Sequence, residues 1–227
     1  MSVIKYNNKK FSVELKDDAD ESVMREIFEY GEYKMAEYII RDAKYPIVDV
    51  GAHIGLFAIY CRAINDDVEV YCLEPEHNNV KKMTRNLQEN DIENVFVSQM
   101  ALSRSSGDRK LVLTPDFHNY HLATKDVSGE RVVMVKTIDF ASFCRRNGLS
   151  RISLVKMDIE GGEYEILENM TPDDFAMIDN LVMEYHDGVE KKHSILEGIL
   201  KKAGYIVESC PSKFEKGLGF IFARREA

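Results

Sequence analysis

The chain has 227 residues, 44% hydrophobic and 30% charged, with a formal net charge of −9. That length suits one α/β domain with additions, large enough to bury a core without staples. The negative balance argues against a broad phosphate-binding surface as the main business of the chain.

Residues 1–20 are polar, with a short strand predicted at "KFSVELK". Val23, Ile27, Phe28, Met35, Tyr38 and Ile39 then recur at roughly helical spacing, interrupted at Gly31, so 21–42 is predicted as one or two helices. The tyrosines and methionines of this stretch read as helix-packing residues, and residues 1–45 as a helical cap or lid over a domain of 46–227. After Pro46 the pattern becomes periodic. "PIVDV" is a strand, "GLFAIYCRAI" a helix and "VEVYCLE" a strand. "EHNNVKKMTRNLQEN" is an amphipathic helix with Val80, Met83 and Leu87 on its apolar face, and "NVFVSQMAL" is a third strand. This β-α-β-α-β order is the signature of a parallel sheet with right-handed crossovers.

The middle, 103–136, changes character. "RKLVLT" and "RVVMVKT" read as antiparallel strands around the polar loop "PDFHNYHLATKDVSGE". His118, Tyr120 and His121 fall in that loop, read as solvated rather than substrate-binding. "TIDFASFCRRNG" is a helix stopped by Gly148, "ISLVKMDIE" a strand, "EYEILENM" a short helix and "NLVMEYH" a strand. "EKKHSILEGILKKAG" is a helix, and "YIVESC" with "GLGFIFARR" an antiparallel hairpin. The count is about seven sheet strands, the last reversed. The fold class is α/β: a Rossmann-like, mostly parallel sheet with helices on both faces.

Cys61, Cys72, Cys144 and Cys210 form no C-x-x-C pair, so they signal neither zinc nor a disulfide framework. No apolar run nears the roughly 20 residues of a membrane span. The start "MSVIKYNNKKF" lacks the apolar core of a secretory signal. The chain reads as reduced, soluble and cytoplasmic. Its clustered basic residues ("KKMTR", "CRRNG", "EKKH", "LKKAG") fall on separate helices and form no stripe with interleaved aromatics.

Chemistry begins at "IVDVGAHIGLF". In an open α/β sheet, ligands bind beyond the carboxyl ends of the strands where strand order reverses. A dinucleotide turn wants G-x-G-x-x-G. Here Gly51 and Gly55 flank A-H-I, with His53 at the centre. Asp49, just before the turn, would repel a pyrophosphate and favour an ammonium or sulfonium group. Glu74 ends the next strand about 20 residues on, where an acidic residue accepts hydrogen bonds from ribose hydroxyls. An adenosine-like ligand with a cationic reactive end meets both demands, and S-adenosylmethionine is such a ligand.

A second motif, "VKMDIEGGEYEIL", ends the fourth sheet strand. If the strand runs far enough, Asp158 and Glu160 share a face by its two-residue period. In their order and spacing, "VDVGAHIGLF", "CLEPE", "MALSRSSG", "VKTIDF" and "VKMDIEGGEYEIL" resemble the FkbM-type methyltransferases over residues 45–186. The resemblance implies a class I S-adenosylmethionine-dependent fold and O-methylation of a sugar, polyketide or related metabolite. Carried onto this chain, it assigns Asp49, Gly51 and Gly55 to the methionine part of the cofactor and Glu74 to the ribose. Met100 and Ala101 would border the adenine, and His53 would lie near the cofactor carboxylate.

Methyl transfer needs an acceptor oxygen about 3 Å from the methyl carbon and a group to remove its proton. Strand ends four and five gather Asp158, Glu160, Glu184 and His186. His186 or Glu160 reads as the base, with Asp158 positioning cofactor and acceptor. The same groups are suitable ligands for a divalent cation, although no dense metal motif accompanies them. The partner expected is a small hydroxylated molecule. A nucleic-acid methyltransferase, a non-catalytic cofactor-binding module and a nicotinamide oxidoreductase stand as the competing readings.

Overall fold

The computed structural model describes residues 1–114, 120–123, 131–188, 191–212 and 216–225. His118 and most of the polar middle loop lie outside the described residues. Strands β1 (Ser2–Tyr6) and β2 (Lys9–Val13) form an antiparallel hairpin. Its turn residues Asn7 and Asn8 take φ of 46° and 63°, the positive values a two-residue hairpin turn requires. Helix α1 (Asp18–Arg25) is capped by Asp17, whose carboxylate accepts from the Asp20 N–H at 3.0 Å.

Helix α1 passes into a π-helical turn, Glu26–Tyr30, which Gly31 ends in the left-handed region at φ 69°. A 3₁₀ turn, Lys34–Ala36, leads into α2 (Glu37–Arg41). Gly31 thus divides the helical stretch predicted over 21–42. Residues 1–45 also hold a hairpin beside the helices, and they share a core with the sheet. Ile4, Phe11, Val13, Ile27 and Ile40 are buried with Ile47 and Phe57. The rings of Tyr6, Phe28 and Tyr60 pack with centroids 5.2–5.7 Å apart. Glu37 accepts from both tyrosine hydroxyls.

The periodic region forms as predicted: β3 (Ile47–Val50), α3 (Leu56–Ile64), β4 (Val70–Leu73), α4 (His77–Gln88) and β5 (Val95–Ser98). The third strand ends earlier than expected. The Met100 N–H turns back to the Ser98 carbonyl at 2.8 Å, and β6 (Ala101–Leu102) leaves for a second sheet. That sheet also takes β7 (Gly107–Leu113), β8 (His121–Leu122) and β9 (Arg131–Ile138). The predicted antiparallel pair is β7 with β9. His121 belongs to β8, paired with Val112 of β7, rather than to a loop.

The rest of the chain is α5 (Phe140–Asn147), β10 (Leu154–Met157), α6 (Glu163–Asn169), α7 (Pro172–Ala176), β11 (Asn180–His186), α8 (His193–Lys202), β12 (Tyr205–Pro211) and β13 (Leu218–Arg225). Helix α7 was not predicted, although "TPDD" carries its start: Thr171 and Asp174 form a reciprocal capping box with proline at the first position.

The seven-stranded sheet has the order β12-β13-β11-β10-β3-β4-β5. Only β13 runs antiparallel to its neighbours. Both faces are covered, so the central strands are buried throughout, as parallel strands require. One face packs Ile47, Cys72 and Leu154 under α3, α4 and the N-terminal segment. The other packs Val50, Leu73, Val155 and Met157 under α5, α6 and α8. The strand order reverses between β3 and β10, which places the switch point at their carboxyl ends. No helix among the described residues is long and apolar enough to cross a membrane.

Candidate active site

A cleft of about 700 Å³ opens at this switch point, within the range of roughly 300–1,000 Å³ usual for small-molecule sites. Gly51, His53, Glu74, Ala101, Asp158, Glu160, Glu184 and His186 all reach it; Asp49, Gly55 and Met100 do not.

The glycine turn is held by its neighbours. Gly51 has φ 79°, and a Cβ there would stand 1.9 Å from the Asp158 carbonyl oxygen. The first glycine is thus imposed by the close approach of the chain after β10. Gly55, at φ 84°, answers to a different neighbour: its Cβ would stand 2.7 Å from Met83 Cγ on α4. Bare backbone therefore meets the cleft at Gly51 and meets α4 at Gly55. Four of the turn's N–H groups are occupied. Those of Gly51 and Ala52 donate to the Leu73 carbonyl at 3.0 and 3.1 Å, and that of Gly55 to Ala52 at 2.8 Å. The His53 N–H donates to Glu74 Oε2 at 2.9 Å. A pyrophosphate, which needs free N–H donors at the helix start, finds these ones taken.

Glu74 is buried at the end of β4. Its other oxygen accepts from the Glu76 N–H at 2.8 Å. Burial, opposed by these hydrogen bonds, pushes its pKa up to about 7. With Asn79 also bonded to this carboxylate, Glu74 keeps acceptor capacity for a ligand hydroxyl. His53 holds φ 49°, a left-handed conformation costing a non-glycine residue about 1–2 kcal/mol. Its Nε2 lies 3.5 Å from the buried Asp20 of α1. Burial lowers its pKa to about 4, so the ring is neutral at physiological pH. Asp20 is in turn bound by Lys82 at 2.8 Å and by the Lys16 N–H at 2.8 Å. The N-terminal helix is thereby latched onto the glycine turn and α4.

Asp49, expected beside the methionine part of the cofactor, does not line the cleft. It is fully buried, and it faces Lys156, its register partner on β10, at 3.2 Å. The cation beside Asp49 in this structure is a lysine of the protein. Lys156 Nζ also donates to the Gly51 carbonyl at 2.8 Å and lies 3.8 Å from Asp158 Oδ2. Burial works against its charge, but Asp49 and Asp158 outweigh it and hold its pKa above the ordinary value. Sequence reasoning missed Lys156. The signal was present: a lysine inside the apolar strand "LVKM" must find a counter-charge. Met100, expected to border the adenine, likewise does not line the cleft. It packs toward α5, with Arg146 Nη1 3.2 Å from its sulfur, while Ala101 and Leu102 line the cleft. The break between β5 and β6 turns Met100 away.

On the far bank, β10 ends at Met157, so Asp158 and Glu160 meet the cleft through a turn rather than through strand period. Glu160 sits at φ 56°. The buried Glu163 closes this turn by accepting from the Ile159 N–H at 3.0 Å, and burial pushes its pKa up to about 7. His186 Nε2 lies 3.1 Å from Glu160 Oε2. Burial, then the charge and hydrogen bond of Asp158, holds the Glu184 carboxyl far above its usual range. Glu184 is thus protonated at neutral pH. Among the described residues, no group of three or more His, Cys, Asp or Glu is arranged to hold a metal ion.

The remaining wall comes from the N-terminal segment, which the sequence reading treated as packing. Glu26, Ile27, Glu32 and Tyr33 all reach the cleft. Burial, then Glu26 and Asp158, pushes the Glu32 pKa up to about 7. No periodicity marks these residues as functional; the turn at Gly31 aims them.

Comparison with known proteins agrees with this arrangement. The precorrin-6y C5,15-methyltransferase of Geobacter metallireducens superposes with a TM-score of 0.53 at 14% identity, covering 95% of this chain and 94% of that one. The magnesium protoporphyrin IX methyltransferase of Synechocystis, solved with bound S-adenosylmethionine, gives 0.56 at 10% identity, with 95% and 87% covered. These likenesses are of fold. In sequence, the hexuronic acid methyltransferase AglP of Haloferax volcanii is 27% identical over 198 residues, 86% of this chain and 78% of that protein. The 31-O-demethyl-FK506 methyltransferase FkbM of Streptomyces tacrolimicus is 24% identical over 170 residues, 62% and 65% of the two chains. The methyltransferase FkbM domain itself matches residues 49–207, from the glycine turn through both acidic strand ends, and the chain belongs to that family.

Proposed function

We propose that this methyltransferase moves the methyl group of S-adenosylmethionine to a hydroxyl oxygen of a small polyhydroxylated acceptor. The observation that carries the reading is the Glu160–His186 pair, 3.1 Å apart, on the bank of the cleft opposite Glu74 and the glycine turn. Two relatives favour oxygen: one is named for a hexuronic acid and the other for position 31-O of FK506.

The residues present fit the cofactor. Glu74 keeps lone pairs for ribose hydroxyls, Ala101 and Leu102 offer an apolar wall to a flat base, and Gly51 admits close approach. When bound, S-adenosylmethionine supplies an electrophilic methyl group on a sulfonium. Asp158, whose backbone is tied to Val50 through a 3.1 Å hydrogen bond, presents its carboxylate to that positive end. His186 takes the acceptor's proton; an imidazole's unperturbed pKa of about 6.5 suits a base at neutral pH. The Glu160 carboxylate orients the ring and stabilises the imidazolium. Protonated Glu184 adds no charge against the incoming oxygen.

Thermal unfolding with S-adenosylhomocysteine or NAD, added separately, tests the cofactor. At 100 times its dissociation constant, a ligand adds about 2.7 kcal/mol, or roughly 5–10 °C at this size. The adenosyl ligand is expected to give this shift and NAD none; the reverse result would end the reading. His186→Ala is expected to slow turnover about a hundredfold, the lower end for loss of a general base, with the adenosyl shift intact. Normal turnover would remove His186 as base.

A further inference from the structure

Two adjacent side chains in the cleft wall make no hydrogen bond among the described residues. Tyr33 is only 3% exposed. Its ring is fixed edge-on against Phe57 and Phe220, with centroids at 5.1 and 5.6 Å. Its hydroxyl nevertheless meets no hydrogen-bond partner among the described residues, and it belongs to the cleft lining. At the cleft wall, this hydroxyl can donate to a group from outside the chain. Burial and the carboxyls around it keep this phenol a donor, its pKa well above the ordinary value.

The neighbouring Glu32 carboxyl, half-buried, likewise has no hydrogen-bond partner among the described residues. Both are aimed by one local device. Gly31 turns left-handed at φ 69°, and the Glu32 N–H closes on the Glu26 carbonyl at 3.1 Å.

The charges facing this wall define what it can accept. Glu26, held by the Ser22 hydroxyl at 2.7 Å, stands beside Glu32, and Asp158 and Glu160 face them. The cations are engaged: Lys156 with Asp49 and Asp158, and His186 with Glu160. Lys191 lies over the Tyr164 ring at 4.9 Å. A sulfonium in the cleft would take the negative charge near Asp158. A carboxylate placed against Glu26 and Glu32 would meet like charge at close range, which disfavours it.

We propose that Glu32 and Tyr33 form the acceptor subsite, and that it takes an uncharged polyol face, one hydroxyl donating to Glu32 and one oxygen accepting from the Tyr33 O–H. This rests on the methyltransferase reading and deepens it. The chain then differs in acceptor class from its relative named for a hexuronic acid.

The test is an NMR titration of the full chain, with and without saturating S-adenosylhomocysteine. The probes are methyl glucoside, methyl glucuronide and methyl glucosaminide, which carry no charge, a carboxylate and an ammonium. The glucoside is expected to bind about tenfold more tightly than the glucuronide. Glu32→Gln should abolish that gap, and Tyr33→Phe should weaken glucoside binding about fivefold, one neutral hydrogen bond. Both substitutions conserve shape, and unchanged thermal midpoints confirm folding. Preference for the glucuronide or the glucosaminide, variants that bind like wild type, or no binding of any glycoside would each overturn the proposal. Loss of S-adenosylhomocysteine binding with the glucoside preference intact would instead sink the cofactor reading alone.

Discussion

The two banks of the cleft are built by opposite means. At the ends of β3 and β4 the backbone polar groups named above are answered within the protein, and the buried Asp49 carboxylate meets the charge of Lys156. The Leu73 carbonyl takes two turn N–H groups, Glu74 takes those of His53 and Glu76, and Asp49 takes Lys156. Across the cleft, Glu160 stands at positive φ, Glu184 is driven to hold its proton, and the Tyr33 hydroxyl makes no hydrogen bond among the described residues. Strain and displaced pKa values mark both banks, at His53 and Glu74 on one and at Glu160, Glu184 and Glu32 on the other. The satisfied bank suits the part of a reaction that never varies, the cofactor. The unsatisfied bank suits the part that distinguishes one acceptor from another.

The sharpest way to break the first bank is Gly51→Ala. The added methyl would overlap the Asp158 carbonyl and require a strained φ. Strain and overpacking together predict a loss of about 4–5 kcal/mol, read in a denaturant titration, with S-adenosylhomocysteine binding lost alongside. A variant that unfolds like wild type would show that the two banks are not in contact here.

Lys156→Met removes the tie between them. It strands Asp49 as an uncompensated buried carboxylate, for an expected cost of about 3–5 kcal/mol. Adding Asp49→Leu should restore much of that stability, because the desolvated charge goes with it, but not cofactor binding, because the Gly51 carbonyl and Asp158 stay unheld. Full recovery of both would reduce Lys156 to a packing residue.

A gentler probe sharpens the second bank. The folded-state pKa of Glu163 is raised, from 4.5 to about 7, so the folded chain holds its proton more tightly than the unfolded one. That contribution is fully present below pH 4.5 and fades as pH rises through 7. Wild type should therefore lose about 2 kcal/mol relative to Glu163→Gln between pH 5 and 7. Parallel stability curves for the two proteins would contradict the burial of this carboxyl.

The elements of the central sheet were legible because their signals are local. Strand β11 coincides with the predicted "NLVMEYH", and α5 stops at Gly148 as read. The glycine turn, Glu74 and the gathering of Asp158, Glu160, Glu184 and His186 followed from strand order, since the ends of neighbouring parallel strands must meet. The same rule, carried one residue further, pairs Lys156 with Asp49. Strand β2 overlaps the predicted "KFSVELK", but the first strand and turn of the hairpin at residues 1–13 and helix α7 were missed despite ordinary turn and cap signals.

The sequence by itself determined the family, the doubly wound sheet and the acidic residues at its carboxyl ends, because periodicity, turn chemistry and motif spacing are properties of short segments. Tertiary structure decided the partners. It set Lys156 against Asp49, placed the Asp158 carbonyl over Gly51, turned Met100 away from the cleft and brought Glu32 and Tyr33 into it. Each depends on register or on the path of a distant segment, and a side chain's partner across space leaves no periodic trace along its own strand.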